Sequence, residues 1–422
     1  MFTSFTGWQY LLIDAANQFG LDKLLFDARI QWAEEHLHEL ESLVDKAEKP
    51  PLFLKAVQAI RKAQQGIPTG HMVGFDASCS GIQVMSVLTG CMAGARATGL
   101  IDPDVRADAY TQLNQVMAEL LGNLGSSVSR SQAKDALMTA FYGSTARPVQ
   151  IFGEGSPQLD AFYKAAEQLA PGARELLQDL LGSWQDMAMV HQWQLPDGYE
   201  AKVKVMDMEE LRVEVDELDH STFTYQYQVN RGLPTGHHKT KSNVANVVHS
   251  VDAYILRCIH RRCNYDYGQT LNAQGLILDE LERRAAGINT KPVSPVSPMT
   301  EAIAYYINLF NRHQVADVVI LEHLSTEQVQ YLSTEHLDKL GSIIESMLCH
   351  IPFEVVTVHD EFKCHANNMN YLRGHYINVL CDIAEGTILD AVFTDLFGKP
   401  VTYRKLSNDL SEHIVHSNYA LT

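Results

Sequence analysis

The sequence predicts an α+β protein, mostly helical with a small antiparallel sheet, and three patterns predict it. Apolar residues recur at helical spacing over most of the chain, as with Ile30, Ala33, Leu37, Leu40 and Leu43 in "RIQWAEEHLHELESLVDKAEK". Between residues 200 and 229 the period switches to two, in "KVKV", "LRVEV" and "FTYQYQV". Two short apolar runs, "MVGFD" and "VVTVHD", each close on an aspartate that opens a turn.

Taken in order, residues 1 to about 65 read as helices, and "HMVGFD" is a strand followed by the small residues of a tight bend. Helical periods run from Ile101 to Gly122 and from Ser129 to Phe141, where Gly143 stops the second helix. Two amphipathic helices are expected near 157–169 and 173–193. The alternating stretch 200–229 reads as a β-hairpin with an acidic tip near "DELDHS". A basic loop, "RGLPTGHHKTK", then leads into a helix beginning near Asn246. Residues 264–350 change character, with helices separated by "NTKPVSPVSPMT", where Pro292, Pro295 and Pro298 mark a linker. "FEVVTVHDEFKCH" reads as strand, turn, strand, with Asp360 at the bend. Internal repeats and low-complexity tracts are absent from the sequence.

At 422 residues the chain is long enough for a well-buried core. Its net charge of −18 points away from a protein that coats nucleic acid by bulk electrostatics. Any nucleic acid has to be held by local contacts or by a partner's positive surface. Seven scattered cysteines argue for reduced thiols in a cytosolic setting. The spacing of "CIHRRC" matches no standard zinc pattern, and it reads as a helix face. The start lacks a signal peptide and no apolar run approaches membrane-spanning length, so a soluble, intracellular protein without a membrane partner is expected.

Asp76 and Asp360 share one context, the end of an apolar strand. Brought side by side, two such carboxylates repel unless they bridge divalent cations, which is the arrangement of a two-metal phosphoryl-transfer site. Magnesium suits carboxylates plus substrate phosphates. Taken separately, each aspartate also fits a turn or cap. On "SRSQAKDALMTAFYG", Arg130, Lys134, Met138 and Phe141 fall on one helical stripe, with Tyr142 beyond. A guanidinium and an ammonium one turn apart suit a triphosphate, and the aromatic suits a base or sugar. A solvated basic pair on an amphipathic helix is the alternative.

"DASCSGIQ", "RSQAKDALMTAFYGS" and "VHDEF" resemble motifs A, B and C of the single-subunit RNA polymerases of T7-like phages and mitochondria. Weaker similarities extend over most of the chain: "AANQFGLDKLLFDARI", Tyr110, "LPDGY", "NVVHSVDAYILR" around His249, and the terminal "SNYALT", which resembles the end of the family's C-terminal foot. The resemblance implies a right-hand polymerase fold and DNA-directed RNA synthesis from NTPs. It divides the chain into an N-terminal helical region packing on the palm (1–70), palm with motif A (71–125), fingers with motif B (126–199), and a specificity-loop-like hairpin with the basic loop (200–245). A helix with His249 (246–263), an insertion outside the resemblance (264–350), and palm motif C with the foot (351–422) follow. Asp76, Asp360 and the Ala77 carbonyl would ligate two Mg²⁺ ions. Arg130 and Lys134 would hold the incoming triphosphate, Lys134 also protonating pyrophosphate. Tyr142 and His249 would select the ribose 2′-hydroxyl, with Tyr110 near the sugar.

Val84 and Ala77 depart from the phage pattern tolerably. Glu361 gives "VHDE", the wording of DNA polymerases of the same superfamily, but those place a bulky acidic residue where this chain has Gly81. Only 75 residues precede motif A, where the family carries several hundred. Two readings fit this, a fragment of a longer enzyme or one subunit of a split one, and in the second the chain is similar to the larger subunit of the heterodimeric RNA polymerase of N4-like phages. That similarity implies a second subunit supplying N-terminal domain and thumb, DNA template, RNA product, a recruiting factor such as a single-stranded-DNA-binding protein, and the cytoplasm of an infected bacterium. A template-dependent DNA polymerase and a non-catalytic polymerase-like subunit are the rival readings.

Overall fold

In the computed structural model, which describes residues 2–122, 128–229, 241–287 and 298–422, helices dominate and the sheets are small and antiparallel. Helices α1 (Gly7–Phe19), α2 (Phe26–Glu35) and α3 (Pro50–Gln64) precede strand β1 (Met72–Asp76). The Thr6 and Gln9 side chains form a capping box at the start of α1, and Gly20 closes it in the left-handed conformation. Tyr10 and Phe26 meet Phe75 edge-on at 5.8 and 5.7 Å. Because side chains alternate along a strand, burying Phe75 among those rings turns its neighbour Asp76 outward.

The middle of the chain holds α4 (Ser80–Thr89), α5 (Met92–Ala97), α6 (Ala109–Leu121), α7 (Arg130–Ala140), α8 (Ala146–Phe152), α9 (Pro157–Leu169) and α10 (Pro171–Gly182). The helix expected over 101–122 begins only at Ala109. Asp102 precedes Pro103, which disfavours helical backbone, and the Asp108 carboxylate caps the N–H groups of Tyr110 and Thr111.

The helix expected near 173–193 stops at Gly182, and Val190–Gln194 is instead a strand, β2, paired with β3 (Glu200–Lys204). "KVKV" thus joins "VHQWQ" rather than the hairpin. Burial of Trp193, whose indole N–H donates to Ser250 Oγ at 3.0 Å, drives this pairing. The hairpin itself consists of β4 (Asp207–Val215) and β5 (Ser221–Val229), with its tip where the alternation placed it. The basic loop at 231–240 and the linker residues Pro292 and Pro295 lie outside the described residues. Helix α11 (Lys241–Cys263) starts about a turn before Asn246. Cys258 and Cys263 are buried on its inner side and Arg262 pairs with Asp382 at 2.7 Å, so "CIHRRC" is a helix face.

In the region 264–350, α12 (Tyr267–Ala285), α13 (Glu301–His313) and α14 (Thr334–Leu348) surround a separate small core containing Ile277, Phe310 and Ile344. Buried Asp197 ties it to the main core by accepting from Arg257 at 2.6 Å and from Arg261, which also reaches Asp317 at 2.9 Å. Strands β6 (Val356–Val358) and β7 (Glu361–His365) complete the central sheet in the order β1-β7-β6, and α15 (Met369–Glu385), α16 (Ile388–Phe397) and α17 (Leu410–Ile414) follow. The last residues return to the front of the sheet: Asp76 and Thr422 exchange backbone hydrogen bonds at 3.2 and 2.9 Å, and Gln83 donates to the Ala420 carbonyl. No helix among the described residues is long and apolar enough to cross a membrane.

Candidate active site

Pairing of β1 with β7 sets Asp76 opposite Glu361, and the Ala77 N–H donates to the Asp360 carbonyl at 3.1 Å. Sheet pairing therefore brings together two aspartates that are far apart in sequence. Left-handed backbone at Cys79 (φ 60°) and His359 (φ 57°) turns the chain sharply beside each of them, a conformation that costs a non-glycine residue free energy. Glu361 lies over Gly74, where a Cβ would collide with its carboxylate, and pairs with Lys363 at 2.9 Å. Asp76 is partly exposed at the end of β1 and opens onto a cavity of about 370 Å³. Burial pushes its carboxyl up to about 6, with repulsion from Glu361 and Asp360 adding to the effect.

The cations expected on α7 line the same cavity. Arg130 forms an ion pair with Asp108 at 2.6 Å and donates to Thr111 Oγ1 at 3.2 Å, so the carboxylate that caps α6 also aims this guanidinium. Burial pushes the Asp108 carboxyl up, but hydrogen bonds from Thr111 and Arg130 and the Arg130 charge outweigh it and hold it below its ordinary value. Arg130 and Lys134 both lie over the Tyr110 ring, at 5.5 and 5.8 Å from its centroid. Lys134 is exposed to the cavity, whereas Phe141 from the expected stripe is buried in the core and Met138 is half exposed.

Tyr142 and His249 come from α7's end and from α11, and their rings meet at 4.8 Å. A Cβ on Gly81 would stand 2.6 Å from the Tyr142 hydroxyl, so the space left by that glycine is taken by the tyrosine's polar end. Burial, and then the charge of Asp252, push the Tyr142 hydroxyl above its ordinary pKa. Asp252 itself was not singled out from the sequence. It stands one helical turn beyond His249, and burial followed by repulsion from Asp360 pushes its carboxyl up to about 6. Its spacing of three from His249 was the available signal. Arg106 and Thr422 were also not anticipated: Arg106 donates to the Thr422 hydroxyl at 3.1 Å at the cavity edge.

Asp76, Asp360, Arg130, Lys134, Tyr142, Tyr110 and the Ala77 backbone thus border one cavity, and His249 joins it through Tyr142. The donor set suits a hard divalent cation. The Asp76 carboxylate is held in its anionic form only at a cost, and a cation beside it and Asp360 would remove that cost. The Ala77 carbonyl accepts no hydrogen bond from the described residues and is available as a further oxygen. Among the described residues, the group of three side chains whose ligand atoms lie within 4.8 Å of one another is elsewhere, at Glu214, Asp216 and His220 of the hairpin tip.

Residues 3–151 match the family model of the DNA-dependent RNA polymerases. The chain is 28% identical over 177 residues to the DNA-directed RNA polymerase of Pseudomonas phage phiKMV, a match covering 34% of this chain and 22% of that protein. It is 27% identical over 180 residues to the mitochondrial DNA-directed RNA polymerase 1B of Nicotiana tabacum, covering 33% and 17%. With the mitochondrial DNA-directed RNA polymerase of Schizosaccharomyces pombe the identity is 26% over 165 residues, covering 33% and 14%. These matches span 22% or less of the relatives' own lengths. The family match includes Asp76, Tyr110, Arg130, Lys134 and Tyr142, while His249 and Asp360 lie beyond it.

Proposed function

We propose that this chain is the catalytic part of a DNA-directed RNA polymerase of the single-subunit type, with palm and fingers built around the cavity at Asp76. The observation that carries this reading is the meeting of Asp76, Asp360, Arg130, Lys134 and Tyr142, from three separate segments, around one cavity that also lies at the family-matched part of the chain.

Asp76, Asp360 and the Ala77 carbonyl would hold two Mg²⁺ ions, whose chemistry is to activate the attacking hydroxyl and neutralise charge on the transferring phosphate. The chain's own residues do the rest. Arg130, aimed by Asp108, and Lys134 bind the triphosphate of the incoming NTP. The RNA 3′ hydroxyl gives up its proton to solvent as its oxygen bonds to the α-phosphorus, and the bond from that phosphorus to the oxygen bridging to the β-phosphate breaks. Lys134 gives its proton to the departing pyrophosphate. Tyr142, braced by His249, presents its hydroxyl to the ribose 2′-OH, and Tyr110 flanks the sugar. Glu361 is the feature shared with DNA polymerases. The Tyr142 hydroxyl, seated against Gly81, favours ribonucleotides.

A second chain that supplies an N-terminal domain and thumb is part of this reading. The net charge of −18 leaves the grip on an RNA–DNA hybrid to another surface. Leu52 and Leu54 on α3, with Leu24, Leu25 and Ile67 in the turns beside the N-terminal helices, expose apolar side chains suited to such a contact. Primer extension on an RNA–DNA hybrid with Mg²⁺, with and without a co-purified partner, tests the proposal. Extension with NTPs over dNTPs is expected, and preferred use of dNTPs or no extension with any partner overturns it.

A further inference from the structure

The β4–β5 ribbon takes no part in the cavity, yet it carries the most unusual surface of the described chain. Its register places Glu209 opposite Tyr227, Leu211 opposite Tyr225 and Val213 opposite Phe223. Alternation puts these six on one face, with Glu210, Arg212, Thr222, Thr224 and Gln226 on the other. A two-stranded ribbon with one apolar face ordinarily packs that face against a core, because alone it is marginal in water. Here it faces solvent: Leu211 is 50%, Val213 42%, Phe223 50% and Tyr225 61% exposed. The rings of Tyr225 and Tyr227 are nearly parallel, 6.0 Å apart, and the Tyr227 hydroxyl donates to Glu209 at 2.8 Å. The surface is thus ordered by its own contacts while its apolar area is left uncovered by the described residues, the mark of an interaction site.

Charge selects the occupant. From Asp207 to Val229 the ribbon has seven carboxylates against a single arginine, Arg212. Phosphates would be repelled, so a nucleic-acid strand stacking on the aromatics is disfavoured. A second copy of a chain of net charge −18 would bring like charge to like. A face of nine residues by two strands measures about 30 Å by 10 Å, the footprint of one helix or extended segment rather than of a whole domain.

We propose that the apolar face of the β4–β5 ribbon docks a basic amphipathic segment of a partner protein, apolar residues against Leu211, Phe223 and Tyr225 and lysines or arginines against the surrounding carboxylates. This rests on the ribbon alone and not on the polymerase reading, since neither the residues nor the assay involve the cavity.

The test is selection from a random peptide library against the full chain, followed by titration of the enriched synthetic peptides. Enriched sequences are expected to be net positive with apolar residues at strand or helix spacing. The triple variant L211S/F223S/Y225S should bind them at least tenfold more weakly. Charge reversal in D216K/E217K/D219K should weaken them severalfold and flatten the salt dependence. Because these side chains are exposed, unchanged melting temperatures verify that both variants fold. Four outcomes overturn the proposal: no enrichment, enriched peptides that are acidic or indifferent to the triple variant, tighter binding of an oligothymidylate at this face, or self-association of the wild type that the triple variant abolishes.

Discussion

At the tip of the β4–β5 ribbon, Glu214, Asp216 and His220 bring ligand-type atoms within 4.8 Å of one another in open solvent, with His220 Nδ1 at 2.9 and 3.3 Å from the two carboxylates. Asp76, Asp360 and Glu361 gather instead at the base of a cavity, where a sheet edge and a tight turn meet. Both places use left-handed non-glycine residues to make the bend, Asp219 and His220 at the tip, Cys79 and His359 at the sheet. By distance alone, the tip is the better metal cluster. The difference lies in water. At the tip each charge keeps its hydration and is screened by salt, so the cluster exerts little pull on a cation. At the cavity, partial burial raises the cost of charge on Asp76, as it does on Asp252 beside Tyr142, and a divalent cation at Asp76 is what relieves it. Proximity of carboxylates is common; proximity combined with desolvation points to chemistry.

The largest effect that would break this contrast is on catalysis. Asp76→Asn or Asp360→Asn, each nearly isosteric, is expected to abolish nucleotide addition while leaving circular dichroism and melting close to wild type. Retention of more than a tenth of the activity, a loss of only about 1.4 kcal/mol in barrier, contradicts the two-metal assignment. The paired change Glu214→Gln/Asp216→Asn should leave addition unaltered.

Next in size is ribose selection. Tyr142→Phe should lower the NTP-over-dNTP preference roughly tenfold, because a site built to bind one hydroxyl strongly disfavours the analogue lacking it. Gly81→Ala should act on the same ratio by pushing the Tyr142 hydroxyl away, since the new methyl would stand 2.6 Å from it. An unchanged ratio in competition assays for both variants removes Tyr142 from this role.

Stability against pH sharpens the comparison further. The Asp76 and Asp252 carboxyls titrate at about 6 in the folded chain, raised from 3.8. Protonated carboxyls suit the folded site better than charged ones, so their contribution is fully present below about pH 4 and is lost as pH rises through about 6. Without divalent ions, the melting temperature should fall across that window, and Asp76→Asn should flatten the fall. Added Mg²⁺ should recover a few degrees at pH 8 and much less at pH 5. A melting curve indifferent to Mg²⁺ at pH 8 contradicts cation binding at this site. The smallest expected effect is Glu214→Gln, which should leave the Mg²⁺ response within experimental error.

Much of this site was legible because its signals are local. A strand ending in aspartate, a helix with Arg130 and Lys134 one turn apart, and Tyr142 just beyond are each readable within a dozen residues. What was not legible depends on distant partners. Val190–Gln194 continues the apolar spacing of the helix before it, and only pairing with Glu200–Lys204 and burial of Trp193 make it a strand. The late start of α6 rests on the Asp108 cap, whose second task is to anchor Arg130. Asp252 gains its interest only when α11 is laid against Tyr142. The register that sets Glu361 opposite Asp76 is a sheet property, and a one-residue slip would have sent that carboxylate to the other face.

The backbone pairing between Asp76 and Thr422 also has a consequence on the ribosome. Gln83 and the Ala420 carbonyl it binds are 337 residues apart. At ordinary elongation speeds, roughly 20–70 s pass between synthesis of one and of the other. For most of that interval β1 has neither its C-terminal neighbour nor β7, which ends at His365, and its unpaired edge is open to other chains. Chaperone dependence should therefore concentrate on this one strand, the same strand that presents Asp76 to the cavity.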